Sequence, residues 1–200
     1  ENKVNINNIL LEEAEETIDS QVIKYLKKDK NIKEIKKIII DLLKNDRIIE
    51  LMLPLRVLGD NLFRHSVCVA AYSVAVGREL FFPQHRLVLL GTAALLHDVG
   101  MSKIPKNILS KKGALTAQEK KLIQQHPKIG FEIVKNSGYF SAEVYNIILE
   151  HHERYDGTGY PNGLTNEKIH NMAKIIAVCD VYNALTSDRP YRAKHNRSES

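Results

Sequence analysis

Seven histidine and aspartate side chains have the residue types and the spacing expected of metal ligands. They form two adjacent pairs and three single positions: His97-Asp98, His151-His152, His65, His126 and Asp180. The set exceeds what one ion needs and is close to what two ions sharing a site would use. Metal-assisted hydrolysis is therefore the first functional hypothesis that the sequence raises.

The donor atoms of this set are nitrogen and oxygen, without the short cysteine spacings of structural zinc sites. Such donors suit iron, manganese, zinc or cobalt in an open site that admits water, so the residues alone leave the metal identity open. Adjacent helical residues point about 100° apart, so each pair fits a site wide enough for two ions. Asp98 has two oxygens and is a candidate bridge. A histidine taken singly is more often a satisfied polar or surface residue, and only the combination favours a metal centre.

Helical periodicity dominates the chain and explains how these residues would meet. Apolar residues recur at intervals of three and four, while no alternating strand pattern and no internal repeat appears. Successive ligands are separated by about one helix plus one connection, as in bundle-core metal sites. The sequence predicts an all-α fold with helices over 33–53, 62–80, 87–99 and 167–187. A capping box at Thr116 and Glu119 predicts the start of a helix that carries His126, and another helix from about Ser141 carries the second pair.

Composition narrows the class of protein. The 200 residues are 44% hydrophobic and 26% charged, which fits one soluble globular domain. The net charge of +5 lies mainly after residue 53, which suits an anionic substrate. The lysine and glutamate clusters are most simply solvated helix faces, so no nucleic-acid polymer is expected as a partner. No apolar run approaches the roughly 20 residues of a membrane span. The chain starts at Glu1 without a signal peptide, and Cys68 and Cys179 lie in apolar runs, which predicts a cytoplasmic fragment with reduced thiols.

Longer motifs around the candidate ligands resemble those of the HD-GYP phosphodiesterases, across about residues 58 to 193. They are Leu96-His97-Asp98-Val99-Gly100, the run from Ile104-Pro105 through Gly113-Ala114-Leu115-Thr116 to His126, His151-His152-Glu153-Arg154-Tyr155-Asp156-Gly157-Thr158-Gly159-Tyr160-Pro161, and Ala184-Leu185-Thr186-Ser187-Asp188-Arg189-Pro190-Tyr191-Arg192.

The resemblance implies an HD-domain helical bundle with a five-helix core over 57–200 and extra N-terminal helices over 1–56. It implies hydrolysis of the bacterial second messenger cyclic di-GMP to linear pGpG and on to GMP. All seven residues would then be ligands of two divalent ions, most simply iron or manganese, with Asp98 bridging and a hydroxide between the ions as nucleophile. His97 and Asp98 would be catalytic. The substrate contacts implied are Lys103, Gly159, Tyr160, Pro161, Asn183, Arg189 and Arg192.

Three positions depart from the family pattern. Met101 stands where a phosphate-contacting lysine is common, with Lys103 or Lys106 as substitutes; Asn183 stands where a second aspartate is common; Asn61 replaces a glutamate associated with a third metal. Two alternatives therefore stay open: a slow or inactive domain that binds a cyclic dinucleotide, and a phosphodiesterase for another one such as cyclic GMP-AMP. The family also implies an attached sensor domain, with a homodimer as a candidate assembly.

Overall fold

The computed structural model describes residues 2–26 and 31–187 as a bundle of helices. The α helices are α1 (Asn2–Thr17), α2 (Ile23–Leu26), α3 (Ile32–Leu43), α4 (Asp46–Leu58), α5 (Asp60–Glu79), α6 (Gln84–Leu96), α7 (Lys106–Leu109), α8 (Ala117–Ile123), α9 (His126–Ser137), α10 (Ala142–Glu150) and α11 (Asn171–Thr186). A π-helical segment (Ile18–Val22) joins α1 to α2, and two 3₁₀ turns (Val99–Lys103 and Asn166–Lys168) follow α6 and precede α11. Within the described ranges no strand forms, and no helix there is long and apolar enough to cross a membrane. The all-α prediction is confirmed.

Helix α5 is the centre of the bundle. It packs against α6, α11, α4 and α3, and its inner residues, such as Val67 and Val74, are fully buried. The core does not end at the N-terminal helices, because Leu10 of α1 and Val22 of the π-helical segment belong to the same hydrophobic cluster. Apolar burial of this extent is the main force that holds the helices at fixed positions.

Several predicted helices are shorter than expected or divided, and both α6 and α10 end before the pair of candidate ligands that each was expected to carry. The helix predicted over 33–53 is divided into α3 and α4, and Asn45 caps the second by accepting a hydrogen bond from the Arg47 amide at 2.9 Å. An asparagine side chain that pairs with a backbone amide favours a helix start over a helix interior.

The predicted capping box at Thr116 and Glu119 is confirmed. The expectation that its helix carries His126 is wrong, because α8 ends at Ile123 and His126 begins α9. Pro127 explains the break: a proline lacks the amide that a helix interior requires and is tolerated only in the first turn.

Candidate metal centre

Five of the seven candidate ligands lie at helix ends. His97 and Asp98 directly follow α6, His126 begins α9, and the His151-His152 pair follows α10. Helix ends bring side chains from separate helices to one point without steric conflict between the helix axes. The remaining two, His65 and Asp180, lie within the long helices α5 and α11.

The structure gathers these seven residues into two adjoining groups. In each of two triplets the donor atoms lie within 4.8 Å of one another: His126, His151 and His152, and His65, His97 and Asp98. Asp180 adjoins the second triplet, with its Oδ1 3.0 Å from His65 Nε2.

Three buried histidines make the same local hydrogen bond, and this bond fixes their tautomer. The Nδ1 atoms of His97, His126 and His151 lie 2.7, 2.8 and 2.6 Å from the carbonyl oxygen three residues earlier. A carbonyl only accepts, so Nδ1 carries the proton and donates it. The lone pair of the neutral ring is therefore on Nε2, the atom that faces the centre. A backbone carbonyl is the usual outer partner of a metal-binding histidine.

Of these three Nε2 atoms, only that of His126 has a carboxylate oxygen within hydrogen-bond distance. His97 Nε2 is buried without a hydrogen bond, and the Nε2 atoms of His126 and His151 are 3.2 Å apart. Buried polar atoms are rarely left unpaired, and lone pairs that face each other repel. A divalent cation coordinated by these nitrogens would resolve both conflicts, so the residues fit a metal.

Asp98 lies between the two groups. Its Oδ1 is 3.2 Å from His126 Nε2, while its Oδ2 is 3.5 Å from His97 Nε2 and 3.9 Å from His65 Nε2. Burial alone would raise the pKa of this carboxyl, but His97, His126 and His65 together hold that pKa well below its usual range. An anionic carboxylate with one oxygen towards each group has the geometry of a bridging ligand.

The electrostatics of the centre keep His151 and His152 neutral and Asp98 and Asp180 anionic, the protonation states that bind cations. Burial, and then the neighbouring His126, lowers the pKa of His152 to about 4, and burial holds the pKa of His151 well below its ordinary value. For His126 burial acts in the same direction, but the hydrogen bond and charge of Asp98 raise the pKa overall.

His65 has a different outer partner from the other histidines. Its Nδ1 lies 2.7 Å from Nδ2 of the buried Asn183, whose Oδ1 accepts a hydrogen bond from Ser187 Oγ at 2.9 Å. Asn183, which the sequence suggests as a substrate contact, thus has its amide engaged with a candidate ligand. The pairing joins residues that are 118 positions apart, so no local sequence pattern signals it.

The loop after His152 is held by Glu153, a residue for which the sequence alone predicts no role. This carboxylate is 5% exposed and accepts hydrogen bonds from the amides of Asn162 and Leu164 at 2.7 and 2.8 Å. Burial of an acid immediately after two candidate ligands was a signal available only from structure. The loop approaches Glu153 so closely that a Cβ on Gly159 would lie 2.5 Å from its Cα.

Tyr160, in the same loop, stacks on His152 with ring centroids 4.8 Å apart and an interplanar angle of 29°. Burial raises the pKa of its phenol, so the hydroxyl stays neutral near pH 7. Tyr160 and its neighbours Gly159 and Pro161, all predicted substrate contacts, lie beside His152. None of the three lines the cavity next to the metal centre.

A cavity of about 760 Å³ opens beside the centre, and Asp98, His152 and Asp180 contribute to its wall. Met101 and Lys106 also line it, whereas Lys103 is exposed and is not among the lining residues. Of the two lysines that could substitute for the one missing at Met101, Lys106 is therefore the one on the cavity wall. The two predicted arginine contacts, Arg189 and Arg192, lie outside the described residues.

The fold and the centre define a class: all-α proteins in which helix ends gather a buried cluster of histidine and aspartate donors sized for more than one ion. A family model described as HD domain matches residues 43–200. The chain belongs to the HD domain family, and the resemblance to HD-GYP proteins is confirmed. HD domain phosphohydrolases are metal-dependent.

Curated relatives carry names that agree with this family. The chain is 45% identical over 138 residues to Cyclic di-GMP phosphodiesterase PA4108 of Pseudomonas aeruginosa, covering 69% of this chain and 33% of the relative. It is 36% identical over 129 residues to 3'3'-cGAMP-specific phosphodiesterase 3 of Vibrio cholerae, covering 64% of this chain and 28% of the relative. The chain thus spans about a third of the length of the curated relatives it matches.

A solved structure shares the fold. Bd1817, a HDG"Y"P protein from Bdellovibrio bacteriovorus, superposes with a TM-score of 0.57 at 22% identity, covering 90% of this chain and 58% of the other.

Proposed function

We propose that this chain is the catalytic part of a phosphodiesterase that hydrolyses cyclic di-GMP to linear pGpG and onward to GMP. The observation that carries the proposal is the convergence of two donor triplets on Asp98, with His97 Nε2 buried and unpaired. The names of the curated relatives supply the substrate class.

Two divalent ions, iron or manganese, are proposed for this centre because its donors are imidazole nitrogens and carboxylate oxygens. One group would hold the first ion through His126, His151 and His152, and the other would hold the second through His65, His97 and Asp180, with Asp98 shared. When bound, such ions polarise a phosphodiester and acidify water.

The protein groups around the centre have separate tasks in this proposal. Asp98 keeps a fixed negative charge between the two groups. Tyr160 covers one face of His152 and keeps water from it. Lys106, on the cavity wall, attracts the anionic phosphodiester in place of the lysine that Met101 replaces.

A second candidate substrate is 3'3'-cGAMP, because several relatives at 36% identity are named as specific for it. The alternative of a slow or inactive binding domain is kept because Met101 lines the cavity and Asn183 carries no charge. We further propose residues 57–200 as the hydrolase domain with 1–56 as an extension, an attached sensor domain, a homodimer and a bacterial cytoplasmic location, all from the family resemblance.

The test is product analysis with purified protein loaded in turn with iron(II) and manganese(II). Cyclic di-GMP and 3'3'-cGAMP are incubated separately and the products are resolved by chromatography. We expect pGpG from cyclic di-GMP, and loss of product in Asp98→Asn but not in Asp41→Asn, a matched change at an exposed aspartate of α3. Binding of cyclic di-GMP without product under either metal would overturn the enzyme proposal in favour of the binding domain.

A further inference from the structure

The cavity beside the candidate metal centre is not made by the HD domain residues alone. Its lining includes Gln21, from the π-helical segment, and Lys24, from α2, together with Asp98 and Asp180. Single turns of π-helix within α helices are rare, and those that occur are often found at functional sites. The N-terminal helices, which the sequence presents as an extension, therefore contribute part of the wall of the proposed active site.

Two hydrogen bonds fasten this segment to the helix that carries His65. Tyr72 Oη donates to the backbone carbonyl of Gln21 at 3.2 Å, and Cys68 Sγ donates to Gln21 Oε1 at 3.5 Å. Cys68 and Tyr72 follow His65 by three and seven residues in α5, so all three lie on one helix face. With a rise of about 1.5 Å per residue, the contacts lie roughly 5–10 Å along α5 from His65.

Buried apolar side chains keep the segment in this position. Ile18 and Val22 of the π-helical segment are fully buried in the main hydrophobic cluster. Because Gln21 and Lys24 are three residues apart, they face the cavity from one side of the chain.

The cavity wall carries both acidic and basic side chains. Among the described residues that line it, the carboxylates are the two candidate ligands Asp98 and Asp180, whereas the cations are Lys24, Arg64 and Lys106. Arg64, whose side chain is partly exposed, donates to the buried Glu13 at 3.0 Å, and Glu13 also pairs with Arg56. Lys24 and Arg64 thus place basic side chains on the wall next to the N-terminal segment, and such side chains attract an anion.

A cyclic dinucleotide carries two phosphodiesters on one ring. When one of them lies at the metal centre, the other occupies the same cavity a short distance away. We infer that Lys24, held in place through Gln21, binds the phosphate that is not cleaved. The inference rests on the proposed function and assigns the N-terminal helices to substrate binding.

The test compares Lys24→Ala with Lys24→Arg and with Lys37→Ala, a matched change at an exposed lysine of α3 that does not line the cavity. Steady-state KM is measured with manganese-loaded protein for cyclic di-GMP and 3'3'-cGAMP, and Kd for fluorescent cyclic di-GMP is measured with metal-free protein. Lys24→Ala should raise KM for both cyclic dinucleotides about tenfold, the effect of losing one charge-assisted hydrogen bond. Lys24→Arg should restore most of the affinity, and Lys37→Ala should behave as wild type.

A substrate with a single phosphate separates this role from a general disturbance of the site. Lys24→Ala should reduce kcat/KM for a cyclic dinucleotide at least about fivefold more than for bis(p-nitrophenyl) phosphate, which has no second phosphate to bind. Equal losses on the two kinds of substrate would overturn the inference, as would an unchanged KM. A loss for cyclic di-GMP but not for 3'3'-cGAMP would also overturn it, because Lys24 would then contact guanine. If wild-type protein neither binds nor cleaves a cyclic dinucleotide, the proposed function itself fails.

Discussion

Asn183 is expected to control how readily His65 binds a metal. Three of the centre's histidines donate Nδ1–H to a carbonyl, which leaves Nε2 free to coordinate. In the structure Asn183 Nδ2 instead lies against His65 Nδ1, and Nε2 lies 3.0 Å from Asp180 Oδ1. In this arrangement the ring proton is on Nε2, so coordination through Nε2 requires the proton to move to Nδ1 and the amide to turn.

The turned amide would find equivalent partners. Asn183 Oδ1 would accept from His65 Nδ1, and Nδ2 would donate to Ser187 Oγ, which now donates to Oδ1 at 2.9 Å. An amide allows both arrangements, whereas a carboxylate can only accept and would hold the proton on Nδ1. Asn183→Asp should therefore strengthen binding at this position, and Asn183→Leu, which can neither donate nor accept, should weaken it.

The outer partner of a metal-binding histidine typically changes metal affinity about 10- to 100-fold, or ~1.4–2.7 kcal/mol. We expect a change of that size for the more weakly bound of two manganese ions, measured by competition with a chromophoric chelator. Asn136→Asp, which adds the same charge on the exposed side of α9, serves as the control. The ¹⁵N spectrum of His65 in metal-free protein should show the proton on Nε2 in wild type and on Nδ1 in Asn183→Asp. Unchanged affinity, or a wild-type proton already on Nδ1, would refute this reasoning.

Three further changes test the frame around the centre. Glu153→Gln should weaken the hold on the loop after His152 and raise KM for cyclic di-GMP, because a charged acceptor of two amides is worth about 1–3 kcal/mol. Glu132→Gln, a matched change at an exposed residue of α9, should leave KM unchanged when the two variants are compared by steady-state kinetics. Gly100→Ala should destabilise the fold by about 1–3 kcal/mol in thermal unfolding. The new Cβ would overlap the backbone carbonyl oxygen of His126, the first residue of α9. Gly113→Ala, with open space around it, should leave Tm unchanged. In metal-free protein the pKa of His152 is lowered from 6.5 to about 4. Between these two pH values the side chain is protonated in the unfolded chain and neutral in the folded chain. Stability should therefore fall as pH decreases from about 6.5 to 4, by up to ~3 kcal/mol for this side chain. The free energy of unfolding, measured with denaturant at the two pH values, should decrease less in His152→Gln than in wild type. An equal decrease would show that His152 is not the group responsible.

The sequence predicted the helical class and the residues that the structure gathers at the centre, because both depend on local spacing. Periodicity locates the buried face of a helix, but not which distant helix that face meets. The contact between Asn183 and His65 and the fastening of Gln21 to α5 therefore could not be predicted. Helix breaks at Asn45 and before His126 were missed because single capping and proline effects are weak against a long apolar pattern.

The proposed centre holds two ions that share Asp98. The most direct test of this sharing is the number of manganese ions bound per chain, counted by metal analysis after equilibrium dialysis of wild type, Asp98→Ala and the control Asp41→Ala. Two ions are expected for wild type and for Asp41→Ala, and at most one for Asp98→Ala. A wild-type chain that binds a single ion, or an Asp98→Ala chain that keeps two, would contradict it.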